Sequence, residues 1–301
     1  MIERAASVGI GEGRALIGLA GRGILESRSP WLHEQEADAQ GLRLTYSLFD
    51  FTDRQWQDDD LPALFDAAEQ IGFAGLNITY PFKQAALPLL DELAEGAVGI
   101  GAVNTVAFTN GRRIGHNTDV NGFAAGFREG LPDVSPGRVL QIGCGGAGSA
   151  TAYALLGNLG AEAVVLYDSD PDKVAALLDQ LAAQFGANRV SSASDPITAA
   201  REVDGILNAT PMGMAKFPGL PISASAIEQR HWVADIVYFP LETALLSEAR
   251  RRGCRTLDGS GMAVHQAREA FRIFTGITAD DERMHASFAS FVAGRCKVAA
   301  A

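Results

Sequence analysis

Short apolar runs alternate with longer stretches in which apolar positions recur every three or four residues, and this alternation organises the chain. Ala15–Gly21 (ALIGLAG) reads as a buried strand, and Pro30 suits the first turn of a helix ending near Gly41. Leu44–Phe51 alternates as a strand, Leu61–Ile71 has helical spacing, and Phe73–Thr79 (FAGLNIT) is a third strand. The segment carrying Leu87, Leu89, Leu90 and Leu93 is expected to be helical. Val103–Phe108 and Arg112–His116 flank Asn110-Gly111, two residues that tolerate the positive φ a tight hairpin needs.

The middle of the chain is a cleaner series. Val139–Ile142 is a short apolar strand, Gly143–Gly148 a glycine-rich turn, and an Ala- and Leu-rich helix follows before the strand Ala163–Tyr167. Pro171 opens a helix in which Val174, Leu177, Leu178, Leu181 and Phe185 form one apolar stripe. Gly205–Leu207 and Val233–Val237 read as strands, Ala244–Arg252 as a helix stopped by Gly253, and Met262–Thr275 as a helix stopped by Gly276. Strands separated by helices predict an α/β fold with parallel pairing, and the hairpin adds antiparallel strands to the first sheet. Two domains are expected, 1–119 plus 257–301 and 120–256, divided near Asp119–Phe123 with a return crossing near Leu257.

Composition narrows the function. The 301 residues are 47% hydrophobic and 20% charged, enough for two ordinary cores. A net charge of −11 argues against a general nucleic-acid or membrane-surface binder, because both need an outward cationic field. It leaves room for a small anionic ligand held by backbone amides. Cys144, Cys254 and Cys296 are far apart, show no metal-ligand spacing, and cannot all pair within one chain, so a reduced, cytoplasmic setting without a structural metal is expected. Met1-Ile2-Glu3-Arg4 has no signal-peptide core, and no apolar run approaches the ~20 residues of a membrane span.

Gly143-Cys144-Gly145-Gly146-Ala147-Gly148 places glycines at the first, third and sixth positions of G-x-G-x-x-G. The pattern is weak alone, and a plain tight turn is its bland reading. Here it follows a strand and opens a helix, and Asp168 ends the next strand 20 residues past Gly148. Such glycines let backbone approach a pyrophosphate at a helix N-terminus. Asp168 can accept hydrogen bonds from ribose hydroxyls, whereas a 2′-phosphate there would be repelled by roughly 4 kcal/mol at ~4 Å and an effective dielectric of ~20. Lys173 is the one nearby cation, so NAD is expected over NADP, with helix capping the bland role for Asp168.

Polar clusters sit where predicted strands end: Asn77-Ile78-Thr79-Tyr80-Pro81-Phe82-Lys83, Gly101-Ala102-Val103-Asn104-Thr105 and Gly115-His116-Asn117-Thr118-Asp119. With Ser27-Arg28-Ser29-Pro30-x-x-His33, Asn208-Ala209-Thr210-Pro211-Met212-Gly213-Met214, Asp235-Ile236-Val237-Tyr238 and Gly261-Met262-x-x-x-Gln266-Ala267, they resemble, in order, the motifs of the shikimate/quinate dehydrogenase family. The resemblance runs from about Leu16 to Gly276.

It implies an N-terminal α/β substrate domain with a mixed sheet and a Rossmann-like NAD-binding domain. Lys83 and Asp119 would be the catalytic pair, with Ser27, Ser29 and Tyr238 on a substrate carboxylate and Thr79, Asn104 and Gln266 on ring hydroxyls. The cofactor set would be Gly143, Gly145, Gly146, Ala147, Gly148 and Asp168, joined by Asn208, Thr210, Met212 and Gly259. Oxidising a secondary alcohol requires removal of its proton, and partial burial would have to lower the lysine pKa from ~10.4 for it to serve as base. Which of the pair holds the proton stays open, as does shikimate against quinate.

Where the family often has a proline-containing turn and a histidine before Ser-x-Ser, this chain has Gly21-Arg22-Gly23-Ile24-Leu25-Glu26. Asp168, where biosynthetic NADP-using members carry a basic pair, resembles the NAD-linked quinate/shikimate branch associated with catabolism. A monomer or homodimer with a small-molecule substrate is expected. The rivals are a dehydrogenase for an aminated shikimate analogue, a folate-linked dehydrogenase and a non-catalytic dinucleotide or metabolite sensor. His33, His116 and His265 lie near motifs without a derivable role, and His231 and His285 are expected at the surface.

Overall fold

The computed structural model describes residues 13–292 and 294. It divides into two compact units. The first runs to Val98, resumes over Ala102–Thr118 and takes the chain from Gln266 onward; the second holds Gly99–Gly101 and Asp119–His265. The return crossing therefore falls later along the chain than Leu257.

The first unit is built on a six-stranded mixed sheet. Its strands are β1 (Arg14–Gly21), β2 (Arg43–Asp50), β3 (Gly75–Ile78), β4 (Glu92–Leu93), β5 (Thr105–Thr109) and β6 (Arg112–His116), in the order β2-β1-β3-β5-β6-β4. The first three pair in parallel, β5 runs antiparallel to β3 and β6, and β4 lies parallel to β6. Helix α1 (Ser29–Ala39) follows β1 and α2 (Leu61–Ile71) follows β2. One sheet face packs Leu76, Ile78, Val106 and Phe108 under Phe65 of α2; the other packs Ile17, Leu19 and Tyr46 under Ala270 and Phe274. In the β5–β6 hairpin Asn110 and Gly111 have φ of 52° and 69°, the mirror-image turn anticipated from that dipeptide.

The second unit contains α3 (Asp119–Gly130), β7 (Arg138–Ile142), α4 (Gly146–Tyr153), β8 (Ala163–Tyr167), α5 (Pro171–Phe185), β9 (Val190–Ser192), the short α6 (Pro196–Ala199), β10 (Gly205–Asn208), β11 (Trp232–Asp235), α7 (Ala244–Arg251) and β12 (Arg255–Leu257). All six strands are parallel, ordered β12-β11-β10-β7-β8-β9. Read from β9, that is the doubly wound order, with β7 and β10 at the point where the winding reverses. Apolar side chains fill both faces, with Leu155 and Leu181 on one and Ile206 and Leu245 on the other. Helix α8 (Ser260–Thr275) carries the chain back, and α9 (Asp281–Val292) docks on α1 of the first unit, where Glu36 accepts from the Arg283 guanidinium at 2.6 and 2.9 Å.

Two expectations are corrected. The segment from Leu87 is not an α-helix: Leu87–Leu89 forms a single 3₁₀ turn, and Glu92–Leu93 joins the sheet as β4. Pro88 withholds a backbone donor, and Leu90 and Leu93 instead pack beside Gly115 of β6. His231 is not on the surface but 1% exposed, with Nδ1 accepting from the Glu228 amide and Nε2 beside the Ala200 carbonyl. Cys144 and Cys254 are buried free thiols, and Cys296 lies outside the described residues. Among the described residues no helix is long and apolar enough to cross a membrane.

Candidate active site

In the first unit one edge of the sheet gathers the polar motifs. The chain leaves β1 toward Ser27 and Ser29, leaves β3 toward Thr79 and Lys83, and leaves β6 into Asn117 and Thr118. Because β5 is antiparallel to β3, Asn77 is opposite Thr105, and Asn104 enters β5 at that same edge. A buried chain of hydrogen bonds knits the edge together. The Tyr46 hydroxyl donates to Asn77 Oδ1 at 2.8 Å, and Asn77 Nδ2 donates to Thr105 Oγ1 at 2.9 Å. Asn104 Nδ2 donates to Thr118 Oγ1 at 2.8 Å, while Asn104 Oδ1 accepts from the Thr118 amide at 2.8 Å. Asn117 Nδ2 donates to the Ala102 carbonyl at 2.8 Å. Sequence reasoning quoted Asn77, Asn117 and Thr118 within motifs without a role; the structure makes them the frame that orients Asn104.

Lys83 is half-buried, and its carbonyl accepts from the Val103 amide at 2.9 Å, which joins the Lys83 and Asn104 segments through backbone. Thr79 is half-buried, its amide donating to the Ala20 carbonyl at 3.0 Å. Ser27 and Ser29 are half-buried with hydroxyls 3.3 Å apart, and neither caps α1, whose N-cap is Arg28 with no side-chain cap. Gln266 is half-buried on α8.

Asp50, at the end of β2, was missed from sequence. Its carboxylate accepts from the amides of Gly23 at 2.8 Å, Ile24 at 2.6 Å and Thr52 at 2.9 Å. Burial would raise its pKa, but these amides outweigh it and hold the carboxyl below its usual range. It fixes the Gly21–Glu26 segment that departs from the family pattern. His33 is core: it is 1% exposed beside Tyr46 and Phe271, ring centroids 5.0 and 6.0 Å away, and burial lowers its pKa to about 3.

In the second unit the candidate residues lie at the carboxyl ends of β7, β8, β10, β11 and β12. Gly143 has φ 108°, and a Cβ on Gly148 would overlap the Gly143 carbonyl oxygen, so both positions need glycine. A Cβ on Gly145 would meet nothing within 4 Å. The loop thus leaves open space at the start of α4, where free amides and the helix dipole favour an anion. Asp168 does not cap α5; Asp170 does, its side chain accepting from the Asp172 amide. Asp168 Oδ2 instead accepts from the Cys144 amide at 2.8 Å and Oδ1 from the Asp170 amide at 3.0 Å, fastening the β8 end to the glycine loop. Lys173 Nζ is 3.2 Å from Asp170. Burial, reinforced by Asp168, pushes the Cys144 thiol up to about 12.

Asn208 is fully buried and holds the loop after β10 rather than facing outward: Nδ2 donates to the Met212 carbonyl at 2.9 Å, and Oδ1 accepts from Thr210. Met212 and Tyr238 are exposed and Thr210 partly so, while Gly259 is buried, where a Cβ would strike the Ile236 carbonyl at 2.5 Å. Asp119 is 5% exposed in the first turn of α3, where the dipole favours a carboxylate.

The substrate-binding domain of shikimate dehydrogenase matches residues 19–106, and the shikimate 5′-dehydrogenase C-terminal domain matches residues 259–287. A quinate/shikimate dehydrogenase (NAD(+)) of Corynebacterium efficiens is 49% identical over 278 residues, 91% of this chain and 98% of that protein. The chain belongs to the shikimate dehydrogenase family. A shikimate dehydrogenase (NADP(+)) of Streptomyces avermitilis is 51% identical over 277 residues, 91% of this chain and 94% of the relative. The solved quinate dehydrogenase from Corynebacterium glutamicum in complex with NAD superposes with a TM-score of 0.84 at 45% identity, covering 92% of this chain and 99% of that one. As a member of the shikimate dehydrogenase family the chain is an oxidoreductase with a small-molecule substrate and cofactor, and relatives named for NAD and for NADP are almost equally similar to it.

Proposed function

We propose that this chain is an NAD-linked dehydrogenase interconverting shikimate and 3-dehydroshikimate, quinate and 3-dehydroquinate, or both pairs, by hydride transfer at C3. The observation that carries the cofactor assignment is Asp168, a carboxylate held at the β8 end by the amides of Cys144 and Asp170. Fixed there, it can accept ribose hydroxyls and repels a 2′-phosphate, and Lys173 is engaged by Asp170 rather than offered to a phosphate.

The residues fit a dinucleotide. Gly145 leaves open space at the N-terminus of α4, where the first-turn amides of Gly146 and Ala147 suit a pyrophosphate, and Thr210, Met212 and Gly259 border the same strand ends. When bound, the nicotinamide supplies the hydride acceptor for alcohol oxidation and the donor for the reverse. The proton work falls to Lys83 and Asp119: one takes the hydroxyl proton as the C–H bond breaks, and the other orients it and binds a neighbouring hydroxyl. Ser27 and Ser29, with Tyr238, offer neutral donors to the carboxylate, which suits an acidic protein holding one small anion. Asn104 keeps its second amide hydrogen for a ring hydroxyl, and Thr79 and Gln266 supply two more polar groups.

Following NADH absorbance with shikimate, quinate and an aminated analogue, each with NAD and NADP, tests the reading. Turnover of shikimate or quinate with NAD is expected. NAD binding without turnover would make the chain a sensor, and turnover confined to the aminated compound would move it to another substrate class. Equal or faster rates with NADP would overturn the role given to Asp168.

A further inference from the structure

Asp235 stands at the end of β11, 2% exposed, in a unit where no step above uses it. Three donors converge on it from the end of β10, the loop after β11 and the start of α7. Asn208 Nδ2 donates to Oδ1 at 2.9 Å, the Val237 amide donates to the same oxygen at 3.0 Å, and the Thr243 hydroxyl donates to Oδ2 at 2.7 Å. Each donor does a second task. Asn208 holds Thr210 and the Met212 carbonyl, Val237 precedes Tyr238, and Thr243 caps α7 by accepting from the Leu246 amide at 3.3 Å. Gly213 (φ 105°) packs against the carboxylate, where a Cβ would lie 3.6 Å from Oδ2.

Three uncharged donors on one buried carboxylate bind its ionised form more strongly than its neutral form. We propose that Asp235 is a positioning residue whose carboxylate locks the Thr210–Gly213 loop to the Val237–Tyr238 segment, so that cofactor contacts and the substrate-carboxylate contact are set together. The proposal rests on the reading of Met212 and Tyr238 as ligand-facing residues. Truncating Asp235 leaves Asn208, Val237 and Thr243 without their common acceptor, and both segments lose their mutual register.

Burial raises the Asp235 pKa to about 6, although all three donors pull it down. Among the described residues no cation offsets the charge: β10 and α7 present Asn208 and Thr243, α3 presents Phe123 and Gly126, and the turn after β12 presents Asp258. Asp258 is engaged by Ser260, whose amide donates to Oδ1 at 2.9 Å. Protonation below pH 6 replaces the anionic acceptor by a weaker neutral one, so the register between the two segments loosens locally, although protonating this buried carboxyl favours the fold as a whole.

The test compares the full-length wild type with Asp235→Asn and Thr243→Val, measuring KM for NAD and for the turned-over substrate, kcat, and melting temperature across pH 5.5–8. Wild-type turnover establishes the underlying reading; its absence would sink that reading before Asp235 is tested. Given turnover, Asp235→Asn should raise both KM values about tenfold above pH 7, as expected for losing one charged hydrogen-bond acceptor. Its KM values should no longer change near pH 6. Thr243→Val keeps the carboxylate but removes a donor to it, so its acid limb should move to higher pH; this variant decides the matter if Asp235→Asn does not fold. Overturning results are unchanged KM values with a wild-type pH profile in Asp235→Asn, or an unshifted limb in Thr243→Val.

Discussion

At the scale of single residues, Lys83 and Asp168 separate chemistry from recognition. The Lys83 segment is secured by its carbonyl, which accepts from Val103, so truncating the side chain leaves that backbone contact intact. Lys83→Ala should therefore cut kcat by about 10²–10⁴-fold, the usual contribution of a positioned base, while the NAD dissociation constant measured calorimetrically stays near the wild-type value. Wild-type rates would remove Lys83 from the mechanism. Asp168→Ala deletes the charge facing a 2′-phosphate but also frees the Cys144 amide. It should weaken NAD and narrow the gap between NAD and NADP, read as the ratio of their kcat/KM values. An unchanged ratio would mean that Asp168 serves the loop alone.

At the scale of elements, the glycine loop makes a sharper distinction than its motif suggests. Gly145 has ordinary extended backbone, φ −76° and ψ −170°, with open space where a side chain would go, whereas Gly148 abuts the Gly143 carbonyl. Gly145→Ala should leave the melting temperature unchanged and weaken NAD about tenfold or more, through lost amide contacts to the pyrophosphate. Gly148→Ala should destabilise the unit itself. Equal NAD affinity in Gly145→Ala, measured by titration, would place the cofactor elsewhere. The buried parallel strands were legible in sequence because continuous apolar runs such as Val139–Ile142 and Ala163–Tyr167 mean little else when glycine and proline bound them. Helix α3 was not, since Gly122 and Gly126 interrupt its pattern; the structure explains Gly126, where a Cβ would come within 2.9 Å of the Met262 amide nitrogen. In α9 Met284 and Phe288 bury one narrow stripe. Candidate site residues were legible as motifs, but the supports were not: Asp50 accepts from the amides of distant Gly23 and Ile24, Asp235 from the side chains of distant Asn208 and Thr243, and no local spacing marks such partners.

At the scale of the whole molecule, buried groups pull the acid response in opposite directions: His33 and Asp50 in the first unit one way, joined by His231 of the second, whose pKa burial also lowers, and Asp235 the other. In the first, His33 is neutral with its pKa lowered to about 3 by burial, so between that value and the ordinary 6.5 the unfolded chain binds the extra proton and stability falls with pH. Asp50 adds to this at lower pH: its pKa is depressed, so its contribution, present above the ordinary carboxylate range, is lost as the amide-bound carboxylate protonates. In the second unit Asp235 is raised from 3.8 to about 6, so the folded chain holds the extra proton in that window and acidification favours folding. Between pH 6.5 and the isoelectric point of about 4.9, His33→Gln should flatten the acid loss of the urea midpoint, while Asp235→Asn should steepen it by removing the opposing contribution. Tryptophan fluorescence can follow both, because Trp31 and Trp56 report on the first unit and Trp232, 3% exposed, on the second. Slopes that move in the same direction in both variants would contradict the assignment of a neutral His33 and an ionised Asp235 at neutral pH.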